Sequence, residues 1–369
     1  MDEFGVPLAA VSRCARSLEV AAAALRAMDE LGPDFTVLAE RCDALLQTLQ
    51  LFSLAAPEGE VRWLEVGAQV QLSQSPLTIA EPMRALARPD AAPGTQPKSW
   101  IFTSATLGTD AQLRWFVDAC GLDGAQVLRV ASPFDYATQA AVYVPREFPR
   151  PQDATHSAAV AALTAQGASA LGGRTMVLTT TTRAMRAIAD ALRQQFAAAG
   201  LYTEVLVQGQ APKRELVDRF VGASARPAHA SAAVVPPGDG CVLVATASFW
   251  EGIDIAGDAL QLLVIDKLPF APPDDPLVQA RASAQVAGGG NAFKNLHLPQ
   301  AAIALKQGAG RLIRSETDRG ILVVCDVRLA QMGYGKKLLD ALPPMRRLTD
   351  GQDWLQALSD LSADPEVLT

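Results

Sequence analysis

No stretch of eighteen apolar residues occurs in this chain, so no segment reads as a membrane-spanning helix. The opening MDEFGVPLAA has neither the basic region nor the apolar core of a secretory signal, and the reading is cytoplasmic. Cysteine is scarce and scattered over Cys14, Cys42, Cys120, Cys241 and Cys325, with no two closer than the 28 positions between the first pair. That spacing excludes a zinc knuckle, an iron–sulfur ligand cluster and a redox C-x-x-C pair, so no metal site is expected and buried thiols are. There is no G-x-S-x-G elbow and no suitably placed histidine among His156, His229 and His297, which leaves an α/β-hydrolase without support. Positive charge is not in excess. A net charge of -7 does not advertise a nucleic-acid binder, although a local groove can be basic on an acidic protein.

What is present is the composition of a globular protein, with 49% hydrophobic and 19% charged residues in a length of 369 that suits two or three domains. Residues 1 to about 55 read as helical. Phe35, Leu38, Cys42, Leu45, Leu49 and Phe52 alternate at steps of three and four, a helix-packing seam, and LGPD breaks the segment into a helical hairpin. From Val61 the period changes: VRWLEV and VQLSQS read as short strands, AEPMRALA as a helix and ARPDAAPGTQPKS as a surface loop. SWIFTSATL reads as an apolar strand and DAQLRWFVDACGL as a helix. Beyond Arg174 the chain alternates strand TMVLT, helix TRAMRAIADALRQQF, strand TEVLVQ, helix KRELVDRF, strands CVLVAT and LQLLVID, one long helix, and strand GILVVCD. Continuously apolar strands are covered on both faces, which predicts an α/β fold with a parallel sheet. GASARPAHASAAVVPPGDG interrupts this pattern as a low-complexity surface insertion.

Three polar clusters fall beyond strand ends, where such sheets bind ligands. SFWEGIDIAG sets Glu251 and Asp254 around Gly252; QGAGRLIRS holds Gln307, Arg311 and Arg314; TSATL holds Ser104 and Thr106. If QGAGRLIRS is helical, its three polar heads share one face and point at one anionic target. Each cluster also has a plain reading, as a turn, as solvated or ion-paired arginines, and as a helix cap.

Taken together and in this order, these stretches resemble the motifs of superfamily 2 helicases: TSATL motif III, TMVLTTTT motif IV, ATASFWEGIDIAG motif V and QGAGRLIRS motif VI. FWEGIDIAG, DKLPFAPPDDP, LKQGAGRLIRS, DRGILVVCDVR and YGKKLL resemble more narrowly the DinG/XPD branch, whose members are ATP-dependent DNA helicases. The resemblance runs from about Val61 to Pro344. It implies a RecA-like second helicase domain preceded by a helical arch-like segment, ATP with Mg2+ as nucleotide, and single-stranded or forked DNA as partner, with 5′-to-3′ movement. It also implies that Arg314 is an arginine finger partnered by Arg311, and that Gln307 senses the γ-phosphate or the attacking water. Glu251, Gly252 and Asp254, with Ser104 and Thr106, would couple nucleotide state to DNA, and Thr179, Thr180, Ser248 and Lys267 would face the strand.

The 369 residues contain no G-x-x-x-x-G-K-[ST] loop; PGTQPKS around Lys98 lacks its spacing. DELG at Asp29 is no acidic box, because no apolar strand precedes it, and the cluster cysteines that many relatives carry are absent. The chain is therefore expected to be the C-terminal portion of such a helicase. In that reading residues 1–60 are arch-like helices, 61–150 the end of the first RecA-like domain, 151–350 the second, and 351–369 a tail. The other open reading is an inactive DNA-binding or partner-binding remnant.

Overall fold

A computed structural model describes residues 8–67, 69–87, 99–108, 110–224, 240–246, 249, 255 and 257–363. Contacts divide the chain into two compact units: residues 1–100, 117–125 and 272–292 form one, and 101–116, 126–271 and 293–369 the other.

In the first unit, helices Leu8–Arg26 and Pro33–Ser53 pack on each other, and Arg26 pairs with Asp43 between them. Pro33 opens the second helix, where its preset φ fits and its missing N–H costs nothing. β1 (Glu60–Val66) and β2 (Val70–Pro76) form an antiparallel hairpin, as the change of period at Val61 requires. Helix Ala80–Ala87 follows. Helix Pro276–Ala287 returns to this unit, and Arg281 Nε donates to the carbonyl of Leu77 at 2.9 Å.

The second unit is a seven-stranded sheet. Its strands are β3 (Ala140–Tyr143), β4 (Thr175–Thr179), β5 (Glu204–Val207), β6 (Cys241–Thr246), β7 (Leu262–Ile265), β8 (Gly320–Val324) and β9 (Arg346–Leu348), in spatial order β5-β6-β4-β7-β8-β3-β9 and parallel throughout. Every residue of β4, β6, β7 and β8 is buried, because apolar layers cover both faces. On one face Leu243, Leu263 and Leu322 meet Phe220 and Leu305. On the other, Val244, Val264 and Val323 meet Ile188, Leu192 and Trp354.

Several elements differ from expectation. SWIFTSATL forms no strand, since a strand exists only as a member of a sheet and no described segment pairs with it; Ile101 is 84% exposed. The helix expected over DAQLRWFVDACGL is confined to Arg114–Ala119. The single long helix before β8 is two, Pro276–Ala287 and Leu298–Ala309, separated by Gly288–Gly290, where Gly289 has a φ of 77°, and by a π turn at Phe293–His297. β3 begins at Ala140, so strands of this sheet start before the boundary expected at residue 150. Residues 351–362 form a helix rather than a tail. Asp350 caps it by accepting from the amides of Gln352 and Asp353, and Trp354 stacks on Tyr143 of β3 with centroids 5.4 Å apart. Most of the expected loop ARPDAAPGTQPKS and of the insertion GASARPAHASAAVVPPGDG lies outside the described residues.

Candidate functional site

The polar residues of the second unit gather at both ends of the sheet: Thr179, Thr180, Asp266 and Asp326 at the C-terminal strand ends, and the motif VI residues with Asp318 at the N-terminal ends, next to Gly257 ahead of β7 and Gln139 ahead of β3. Helix Leu298–Ala309 stops at Gly310, ahead of β8 and at the N-terminal side of the sheet, where Leu312 packs against Gly320. Gln307 stands exposed on its last turn, and Nε2 donates to Thr106 Oγ1 at 3.1 Å. Thr106 Oγ1 lies 3.3 Å from Ser104 Oγ, which also accepts from the Thr106 amide at 3.1 Å. Motif III and motif VI thus meet through three side chains.

Arg311 and Arg314 are not on the helix. The chain leaves helical geometry after Ala309, so the shared helical face expected for Gln307, Arg311 and Arg314 does not form. Leu312 and Ile313 are 2% and 1% exposed, and burying this pair turns the backbone out of the helix and leaves both arginines half-buried beside it. Guanidinium groups so placed suit bidentate recognition of phosphate oxygens. Lys306, on the last turn of the same helix, has its pKa lowered by burial and by the nearby Arg129. That local surplus of positive charge would favour an anion.

Motif IV lies at the other end of the sheet, at the C-terminal ends of the strands. Thr179 ends β4 fully buried, its hydroxyl donating to the carbonyls of Thr181 and Ala245. It fastens two strand ends, and its hydroxyl is not presented to a DNA strand as expected. Thr181 caps helix Thr182–Ala198 by accepting from the Ala184 amide at 3.2 Å. Thr180 and Lys267, the latter following β7, both donate their backbone amides to Asp266 Oδ1, at 3.1 and 2.7 Å. The Thr180 hydroxyl is enclosed too and meets no hydrogen-bond partner among the described residues. Between helix Thr182–Ala198 and the end of β5, a cleft of about 360 Å³ is lined by Arg186, Asp190, Arg193, Gln208 and Gln210, with Arg193 paired to Asp190. Glu251, Gly252, Asp254 and Ser248 lie outside the described residues.

Acidic residues not singled out in the sequence organise both ends of the sheet, Asp266 and Asp326 the C-terminal end and Asp318 the N-terminal end. Asp266 is 1% exposed and its pKa is pushed up to about 7, chiefly by burial, with Asp326 adding to the rise and Lys267 opposing it. Asp326, fully buried after β8, accepts from the Leu268 amide at 2.9 Å and from Arg328 Nη2 at 2.6 Å, and this bond raises the Arg328 pKa. Asp318 binds the backbone after motif VI. Asp266 and Asp326 carry a signal that was available: each is a lone carboxyl directly after an apolar strand run, LLVID and LVVCD. Among the described residues no group of three or more His, Cys, Asp or Glu side chains is placed to hold a metal ion.

A model of the helicase C-terminal domain matches residues 165–345. The ATP-dependent DNA helicase YoaA of Escherichia coli K12 is 40% identical over 279 residues, 76% of this chain and 40% of that protein. The ATP-dependent helicase DinG of Mycobacterium tuberculosis H37Ra is 35% identical over 336 residues, 88% of this chain and 46% of that protein. The chain thus spans less than half the length of either relative. A solved structure named XPD helicase superposes with a TM-score of 0.52 at 15% identity, covering 87% of this chain and 55% of that one, a likeness of fold. Over the residues these matches cover, the chain belongs to the DinG/XPD-type family of superfamily 2 helicases.

Proposed function

We propose that these residues form the second motor half of an ATP-dependent DNA helicase, working in the cytoplasm and coupling ATP hydrolysis to 5′-to-3′ movement on single-stranded or forked DNA in repair and replication. The observation that carries this reading is the Gln307–Thr106 hydrogen bond, which joins motif VI to motif III at the helix end where Arg311 and Arg314 emerge. In this reading Arg314 stabilises charge developing on the transferred phosphoryl group, Arg311 supports it, and Gln307 orients the γ-phosphate or the attacking water. Glu251, Gly252 and Asp254 transmit the nucleotide state toward DNA, with Ser104 and Thr106 relaying it. The triphosphate and Mg2+ are held mainly by residues outside these 369, where a full-length relative could also carry an iron–sulfur cluster. Arginine fingers are worth ~10³ to 10⁵ in rate, and they depend on planar fork geometry as well as charge. In a protein joining this chain to a phosphate loop and an acidic box, Arg314→Lys is expected to lower kcat at least ~100-fold with little change in DNA affinity. Near-normal kcat with weakened DNA binding would assign Arg314 to the strand instead.

A second reading, a helicase remnant that holds DNA or a protein partner without hydrolysis, is favoured by the lack of any G-x-x-x-x-G-K-[ST] in the 369 residues. The purified chain separates the two. It should show no DNA-stimulated ATPase by itself, and should regain it when a phosphate-loop domain is supplied if the motor reading holds.

A further inference from the structure

Residues 310–319, which carry both motif VI arginines, form neither helix nor strand; the amides of Gly310, Arg311 and Leu312 bond to carbonyls of the preceding helix, and beyond them side chains hold the backbone. One buried carboxylate supplies most of that hold. Asp318 is 2% exposed and four donors fill its two oxygens: Oδ2 accepts from the amides of Arg314 at 2.7 Å and Ser315 at 2.9 Å, and Oδ1 from the Ser315 hydroxyl at 2.5 Å and the Gly257 amide at 3.1 Å. Gln139, itself buried, secures the other side of the loop, its Nε2 donating to the carbonyls of Ser315 at 2.9 Å and Asp318 at 3.0 Å. Gly257 opens the turn that follows EGID, so the same carboxylate ties the exit of motif V to the backbone of motif VI.

We propose that Asp318 is a positioning residue for phosphoryl transfer, fixing the backbone of Arg314 so that its guanidinium reaches the nucleotide in one geometry. The inference rests on the reading of Arg314 as the phosphate-facing arginine. Charge-assisted bonds from a carboxylate to amides are short and stiff, and a displacement of about 1 Å at a reacting centre costs ~100-fold in rate. Asparagine is nearly isosteric, but it replaces one acceptor with an NH₂ that cannot accept from two donors, so the loop loosens while the core stays packed.

The test uses a protein that joins this chain to its phosphate-binding half. Asp318→Asn is expected to lower the kcat of DNA-stimulated ATP hydrolysis ~10- to 100-fold with the KM for ATP within about threefold of normal. In an Arg314→Ala background the same change should cost nothing further, because Asp318 acts through Arg314. Ser315→Ala, which removes one donor and leaves the carboxylate, should give a smaller loss of kcat in the same direction. Hydrogen exchange on the 369-residue chain supplies a reading independent of activity: the amides of Arg314 and Ser315 should lose protection in Asp318→Asn while those of β8 keep theirs. If Arg314→Ala leaves kcat unchanged, the motor reading falls and this inference with it. If Arg314→Ala is slow but Asp318→Asn is not, or if the two losses multiply in the double variant, only the positioning role is overturned.

Discussion

Gln307 Nε2 donates to Thr106 Oγ1 at 3.1 Å, although 201 positions separate the two residues. A contact of this kind can report the state of one motif to the other only if it is made in the reacting complex. A neutral hydrogen bond contributes about 1 kcal/mol net, roughly a factor of five to ten in rate if all of it acts in the transition state. In the intact motor, Thr106→Val and Gln307→Leu should each slow DNA-stimulated ATP hydrolysis severalfold, and the double variant should be no slower than the worse single one. Losses that multiply would show that the two residues act independently.

Asp266 sets a pH dependence of stability. Its carboxyl titrates near 3.8 when exposed and near 7 in the fold. Between those values the native state holds a proton that the unfolded chain releases, so stability is highest toward pH 4, falls as pH rises to about 7, and levels off above. The direction is opposite to that of a salt-bridged aspartate. Asp266→Asn keeps an acceptor for the amides of Thr180 and Lys267, removes the ionisation, and should be more stable than the native chain at pH 8 by on the order of a few kcal/mol, with little difference at pH 4. Urea unfolding of both chains across this range measures it. Parallel curves would mean that Asp266 is ionised in the fold throughout.

The terminal helix makes a separate demand on the sheet. Trp354 is 2% exposed, stacks on Tyr143, and donates Nε1 to Gln166 Oε1 at 3.1 Å. Gly167 makes room for it: a Cβ there would lie 3.2 Å from the Trp354 ring and 2.4 Å from Leu262. Trp354→Ala should therefore cost about 3–5 kcal/mol, the usual range for a buried aromatic, and Gly167→Ala should also destabilise the fold through overpacking. Deleting residues 351–369 should lower the thermal midpoint sharply. A truncated chain with an unchanged midpoint would make this helix an accessory.

The strands β4, β6, β7 and β8 were legible because they are buried on both faces, which leaves uninterrupted apolar runs such as CVLVAT and GILVVCD. β3 was not, since AAVY is short and becomes a strand through pairing with β8 and β9, distant in sequence. SWIFTSATL failed the other way, having the composition of a strand and no pairing partner among the described residues. At the site, residue types suited to phosphate could be recognised from spacing, and Asp266 and Asp326 from their place after apolar strand runs, whereas Asp318 could not. Asp318 works mainly on amides, which every residue except proline carries, so of its neighbours' side chains only the Ser315 hydroxyl answers to it. The burial of Thr179 was equally hidden, because a threonine at a strand end looks the same whether its hydroxyl faces a ligand or the next strand's carbonyl.

With Thr179 and Thr180 turned inward, contacts to DNA from this half should come from cations and backbone amides around motif IV. Arg183 and Arg186 are exposed on the first turns of helix Thr182–Ala198, whose N-terminus adds a favourable dipole, and Arg186 also lines the cleft with Arg193, Gln208 and Gln210. Phosphate contacts release counterions, so affinity should fall steeply with salt and ignore base sequence. On a chain of net charge -7 binding should also be weak. Arg186→Ala and Lys267→Ala should each weaken binding equally for different sequences and reduce the slope of log K against log salt by about one. Fluorescence anisotropy of a labelled oligonucleotide, read from low to moderate salt, measures both effects. Tight binding that ignores salt, or a slope untouched by either substitution, would move the strand away from this face of the sheet.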